Sequence, residues 1–229
     1  MKNNNKKIIV WNVTSKCNLK CEFCFGPEKR IEDLNTNQAR KMIDEFKMQG
    51  FEKIVFTGGE PLTRKDVLNL IEYAKELGFY TILHTNGLLL TKEKLEMIVK
   101  FLDQINLPID GSDEKINQIM RERGVFAKVV EILEWLKEYH ELKIVISTVV
   151  TKLNKNCIIK IAKILPKNIY KWRIFQFKAI GKAELFKDKY EVSDDEFKKI
   201  SEDVKKLDLN FDIQFVGRND EFYESYLIK

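Results

Sequence analysis

Cys17, Cys21 and Cys24 stand in the run Cys17-Asn18-Leu19-Lys20-Cys21-Glu22-Phe23-Cys24, a C-x3-C-x2-C spacing directly after the apolar run Ile8–Val13. Iron–sulfur clusters are held by cysteine thiolates, and three of them can hold three corners of a [4Fe–4S] cube. The fourth iron is then left without a protein ligand. A cluster that only carries electrons would want a fourth cysteine, so this spacing points to an exogenous molecule at the open iron. The competing use of the thiols is a structural zinc site. Zinc takes four ligands, and the other soft donors, Cys157, His84 and His140, have no zinc-like spacing to the trio.

A second chemical stretch, Thr57-Gly58-Gly59-Glu60-Pro61, ends another strand-like run, Lys53–Phe56. Two glycines let backbone approach a ligand closely, and Glu60 offers a carboxylate to an ammonium group. Alone, the same stretch also fits an ordinary strand-to-helix turn with Pro61 near the helix start.

Both motifs need elements to position them, and strand-like and helix-like segments alternate along the chain. Strands are expected at 8–13, 53–56, 79–84, 104–109, 142–150 and 172–177, with a further short one at 211–215. Helices are expected at 36–49, 64–77, 92–102, 125–139, 157–165 and 194–207, with Gly50 and Gly78 as stops. Six such units predict an α/β fold, a partial barrel of parallel strands whose ligands gather at the strands' carboxyl ends. Asn86, Asp110, Thr148 and Gln176 fall at or just past those ends, as do the two motifs. Asp110 reads equally as a helix cap, and His84 as a packing residue. Strand alternation puts Arg173 and Phe175 on one face and Trp172, Ile174 and Gln176 on the other, with the inward set left open.

The 229 residues, 44% hydrophobic, can bury one sizeable core, and one domain over residues 1–229 is expected, with a short tail at about 217–229 that the pattern does not place. No apolar run is long enough to span a bilayer, and the basic amino terminus lacks a signal-peptide core, so a cytoplasmic protein is expected. Three cysteines within eight residues then read as metal ligands rather than disulfide partners, and Cys157 as a buried apolar residue. A net charge of +5 does not by itself imply a nucleic-acid partner.

With these motifs in this order, each after a strand, the chain from about Ile8 onward resembles the radical S-adenosylmethionine (SAM) enzymes. The resemblance implies a partial (β/α)6 TIM-like barrel, a [4Fe–4S] cluster on Cys17, Cys21 and Cys24, and SAM as second cofactor. It implies SAM contacts from Gly58, Gly59 and Glu60 to the methionine end and from Phe23 near the adenine, with Asn86, Asp110 and Thr148 as further cofactor-site candidates. It also implies an external one-electron reductant such as ferredoxin or flavodoxin. The later half is most similar to the viperin-like enzymes, through Cys24-Phe25, Lys171-Trp172-Arg173-Ile174-Phe175-Gln176, Asn219 and Ser225-Tyr226-Leu227-Ile228. That likeness implies a small-molecule substrate, with a nucleotide as the lead, and anion contacts from Lys29, Arg173 and Arg121 or Arg123. A phosphate-binding lysine of those enzymes is replaced here by Val145. Open alternatives are a radical SAM enzyme acting on a peptide, protein or tRNA, and an iron–sulfur protein that only transfers electrons or senses iron.

Overall fold

Apolar side chains on both faces mark a strand covered on both sides, and β1 (Ile8–Thr14) is buried at five of its seven positions. A computed structural model describes residues 7–26 and 32–220, and residues 225–228 as backbone alone. Lys29 lies outside the described residues. After β1 the chain alternates through α1 (Thr36–Met48), β2 (Lys53–Gly58), α2 (Val67–Glu76), β3 (Tyr80–His84), α3 (Lys92–Ile98) and β4 (Gln104–Pro108). Two helices follow, α4 (Glu114–Met120) and α5 (Val125–Trp135), then β5 (Lys143–Val150), α6 (Ile158–Ile164) and β6 (Lys171–Gln176). The last elements are α7 (Lys187–Tyr190), α8 (Asp194–Lys205), β7 (Asp212–Val216) and β8 (Ser225–Ile228).

All strand pairs are parallel, in the order β7-β6-β5-β4-β3-β2-β1-β8. The six expected strands therefore run consecutively, with β7 added beyond β6 and β8 beside β1. The unplaced tail contributes β8, whose backbone pairs Ile8 with Ser225 through Trp11 with Ile228. Local chemistry sets several helix starts. Asn35 with Gln38 and Ser193 with Glu196 form reciprocal capping boxes on α1 and α8. The polar connection after β4 holds the unexpected helix α4, and Asp113 rather than Asp110 caps it.

Strand parity divides the side chains into two layers. Ile9, Trp11, Ile54, Phe56, Leu83, Ile105, Leu107, Ile144, Ile146, Trp172 and Ile174 join the helices in the main core. Val10, Val55 and Ile82 form a separate cluster on the opposite face, the inside of the curled sheet. By the same parity His84, Asn106, Ser147, Arg173 and Gln214 belong to the inner face. The curl is direct in the contacts: Glu22, just after β1, accepts a hydrogen bond at 2.9 Å from the hydroxyl of Tyr190, well beyond β6.

Candidate active site at the carboxyl ends of the strands

The two glycines open space, but the chain's own backbone fills it. A Cβ on Gly58 would lie 2.2 Å from the Thr14 carbonyl oxygen, and one on Gly59 would lie 2.2 Å from that of Lys16. Gly58 also has φ +133°, a conformation that favours glycine. Their freedom therefore lets the β2 loop lock onto the stretch that leads into the cysteines. Gly59 N–H donates to Thr14 O and Glu60 N–H to Lys16 O, each at 2.8 Å. Buried Arg64 donates to Val13 O at 3.0 Å and pairs with Asp66 at 2.7 Å.

Glu60 is 1% exposed. Its Oε1 accepts from Leu62 N–H at 3.0 Å and Thr85 Oγ1–H at 2.7 Å, and its Oε2 accepts from Asn86 N–H at 2.7 Å. A carboxylate has about four acceptor positions, so three are spent inside the protein and one remains on Oε2. Burial pushes the Glu60 carboxyl up, against the pull of those three hydrogen bonds. Asn86 in turn donates to Asn18 Oδ1 at 2.8 Å, tying the end of β3 to the cysteine loop.

Cys17 and Cys24 are exposed and Cys21 is half-buried. Leu19 N–H donates to Cys17 Sγ at 3.4 Å, and Gly26 N–H to Cys24 Sγ at 3.3 Å. Among the described residues no three His, Cys, Asp or Glu side chains converge on a point, the arrangement a single ion needs. A cube takes its thiolates at separate corners, and Cys17 and Cys21 both lie close enough to Cys24 to feel its charge. The donor chemistry and the N–H contacts to sulfur fit a cluster. Burial pushes the Cys21 thiol up, and the Arg121 guanidinium pulls it back towards the thiolate.

Arg121 also donates from Nε to Asp110 Oδ2 at 2.5 Å and lies over the Phe23 ring at 5.2 Å. Burial would lower its pKa, but the Asp110 carboxylate and Cys21 reverse the direction. Asp110 is fully buried and accepts a second bond from Val149 N–H at 2.7 Å. Phe23 is buried with Met120, Phe177, Ala183 and Tyr190. A cleft of about 160 Å³ beside these groups is lined in part by Cys21, Met120, Arg121 and Tyr190. A wider hollow of about 440 Å³, lined by Ile169, Tyr170 and residues 209–212, lies at the amino ends of β6 and β7, away from the cysteines.

The expected residues thus divide. Cys17, Cys21, Cys24, Phe23, Gly58, Gly59, Glu60, Asn86, Asp110 and Arg121 belong to one hydrogen-bonded and packed assembly. Thr148 does not face the inside, because parity turns it towards the helices. It is fully buried there, donates to Ile109 O at 2.5 Å and accepts from Trp172 Nε1–H at 2.9 Å. Gln176 is likewise spent, on Val192 O, Asp194 and Arg218 N–H. Arg123 is exposed between α4 and α5. Arg173 faces inwards and donates to Gln214 Oε1 at 3.2 Å. His84, also on the inner face, is driven to a pKa of about 3 by burial, with the Arg173 charge acting in the same direction. Sequence reasoning missed Asn18, Arg64 and Tyr190. The first two sit inside or beside the motifs, whereas nothing in the pattern around Tyr190 marks its contact with Glu22, 168 positions away.

The curled parallel sheet, with a three-cysteine loop clasped by a Gly-Gly-Glu turn, defines a class, and the chain belongs to it: residues 11–165 match the radical SAM superfamily. This superfamily is built on a [4Fe–4S] cluster and SAM. The chain is 32% identical over 240 residues to an S-adenosylmethionine-dependent nucleotide dehydratase of Lacinutrix mariniflava, covering 96% of this chain and 48% of that protein. It is 30% identical to an AdoMet-dependent heme synthase of Nitratidesulfovibrio vulgaris, over 77% of this chain and 50% of the relative. The fold is similar to Streptococcus suis SuiB bound to S-adenosylmethionine, with TM-score 0.78 and 21% identity over 93% of this chain and 51% of SuiB. The chain spans about half the length of these relatives. No helix among the described residues is long and apolar enough to cross a membrane.

Proposed function

We propose that this chain is the catalytic core of a radical SAM enzyme acting on a small molecule held inside the barrel, with a nucleotide as the leading substrate class. With the cluster and SAM bound, the chemistry supplied is one-electron cleavage of SAM to methionine and a 5′-deoxyadenosyl radical, which takes a hydrogen atom from an unactivated C–H bond. Cys17, Cys21 and Cys24 would hold the cluster. Gly58–Glu60 and Asn86 fix the cysteine loop against β2 and β3, and the remaining lone pair of Glu60 would receive an ammonium N–H. Arg121 supplies positive charge beside Cys21, and Phe23 an apolar wall. The electron would come from an external reductant such as a ferredoxin or flavodoxin.

The observation that carries this reading is the clasp itself: Gly59 and Glu60 donate to the β1 loop while Glu60 gathers Leu62, Thr85 and Asn86. It leaves one acceptor position of a buried carboxylate unused beside the cysteine loop, which the ammonium group of a bound ligand would fill. The nucleotide lead is supported by the dehydratase likeness over 96% of the chain, later half included, and by inward-facing Arg173. The test is anaerobic reconstitution with iron and sulfide, reduction with dithionite, addition of SAM, and quantification of 5′-deoxyadenosine with and without CTP. Formation stimulated by CTP, with a nucleotide product lighter by one water, supports both parts. Slow formation indifferent to CTP keeps the radical chemistry and removes CTP. No 5′-deoxyadenosine from an intact cluster overturns the proposal.

A further inference from the structure

The inner face of the barrel carries a hydrogen-bonded chain that the cofactor site does not use. Gln104 and Asn106 are two residues apart on β4 and so point the same way. Gln104 Nε2–H donates to Asn106 Oδ1 at 2.7 Å, and Asn106 Nδ2 lies 2.7 Å from His84 Nε2. An amide whose oxygen is already an acceptor presents its nitrogen as the donor. His84 Nε2 is then the acceptor, and the proton of the neutral ring sits on Nδ1. Both amides are buried, whereas His84, although enough protein surrounds it to depress its pKa, keeps part of its surface open on the inner face of the sheet. Among the described residues Nδ1 has no hydrogen-bond partner. The charge of inward-facing Arg173 reaches this ring from across the sheet.

We infer that His84 is a substrate-binding residue whose Nδ1–H donates to an oxyanion of the substrate, with Arg173 meeting the charge and Asn106 acting as the positioning residue that holds the tautomer. The inference rests on the reading that substrate lies inside the barrel, and it narrows the class to molecules bearing a phosphate or carboxylate. A guanidinium attracts any anion, whereas a fixed neutral N–H adds direction without a second positive charge.

The chain has only two histidines, so protein labelled in its imidazoles gives two ring systems, assigned with the variant His140→Gln. In the reconstituted, oxidised protein His84 is expected to be neutral and protonated at Nδ1 from about pH 5 to 8. Pyrophosphate or glutarate, as phosphate and carboxylate probes, should move its signals in wild type and not in Arg173→Gln. The probe that acts identifies the oxyanion. His84→Leu should weaken binding of that probe about tenfold, the value of one hydrogen bond to a charged group, and His84→Gln, which keeps an N–H, should restore most of it. Asn106→Leu should give a mixture of tautomers. A wild-type ring protonated at Nε2, a charged ring above pH 6, or signals that neither probe moves would overturn the inference. 5′-Deoxyadenosine formation without substrate is scored separately. Turnover with a silent His84 sinks this inference alone, and a responsive His84 without turnover sinks only the radical reading.

Discussion

The two ends of the barrel solve different problems with similar residue types. At the mouth, charged and polar groups are buried and held by directional bonds: Glu60 accepts three, Asp110 binds Arg121 and Val149 N–H, and Arg64 clamps Val13 O. At the floor, where the strands begin, lysines lie on the faces of tyrosines instead. Lys53 and Lys143 lie 5.1 and 5.7 Å from the Tyr80 ring, and Lys143 and Lys171 lie 4.7 and 5.5 Å from the Tyr170 ring. A ring face attracts a cation without fixing its orientation. The floor keeps one directional cluster, in which Asp103 accepts from Lys75 Nζ at 2.7 Å and Thr81 N–H at 2.8 Å. Its lysine–tyrosine contacts leave the cations free to turn, whereas at the end where barrels of this kind place their chemistry Glu60, Asp110 and Arg64 are each fixed by directional bonds.

The sharpest way to test this contrast is to remove one directional group from the mouth. Asp110→Ala strands the Arg121 guanidinium and leaves Val149 N–H without its acceptor. Breaking a buried ion pair by deleting one partner costs about 3–5 kcal/mol, and chemical denaturation of the purified protein should show a loss of that size. Gly59→Ala acts by crowding. Its Cβ would meet the Lys16 carbonyl at 2.2 Å, and backbone cannot yield as a side-chain tip does. The expected cost is at or above the upper end of about 1–3 kcal/mol. Because the displaced backbone leads into Cys17, iron and acid-labile sulfide per chain should fall after reconstitution. Full iron loading in this variant would break the link drawn between the glycine turn and the cysteine loop.

How much of this contrast could be read from residues alone differs between the two ends. The cysteine spacing, the Gly-Gly-Glu-Pro turn and the six consecutive strands were legible because each rests on local chemistry or on alternation within a few residues. The direction in which the glycines work was not. The pattern pointed to close approach towards a ligand and gave no sign that the same glycines also pack on Thr14 and Lys16, because register between β1 and β2 is a tertiary fact. Thr148 was misplaced for the same reason, since parity along β5 had no anchor until Ile146 and Val150 were seen in the helical layer. Helix α4 hid in a polar segment because its exposed positions outnumber its buried Asn117 and Met120. The lysine–tyrosine floor had no signal at all, as its members come from different strands far apart in sequence.

Glu60→Gln probes the mouth more gently and through pH. Burial raises the folded carboxyl above its ordinary value of 4.5. The folded state therefore holds more protons than the unfolded one between those two values, and this group makes stability fall as pH rises through that window and then level off. The neutral amide removes that slope, so the wild type's advantage over the variant should be largest in the acid range and shrink as pH rises through the window. Above the window the variant should be weaker by about 1–3 kcal/mol, because its NH2 cannot accept from every donor that now meets the carboxylate. A difference that stays constant with pH would mean that Glu60 does not titrate differently in the fold.

At the floor the expected effects are smallest. Lys143→Ala removes an ammonium that serves both tyrosines, but an exposed cation–π contact contributes only about 0.5–1 kcal/mol, and the lysine is solvated when it leaves the ring. Tyr80→Phe should change even less. Its hydroxyl, pushed up to about 12 by burial and then by the Asp103 carboxylate, stays neutral at any working pH, so the substitution removes no charge. Iron content and 5′-deoxyadenosine formation should match wild type in both variants. If Lys143→Ala instead lowers cluster loading as Gly59→Ala does, the floor is coupled to the mouth through the inner layer of Val10, Val55 and Ile82, and the division of labour between the two ends fails.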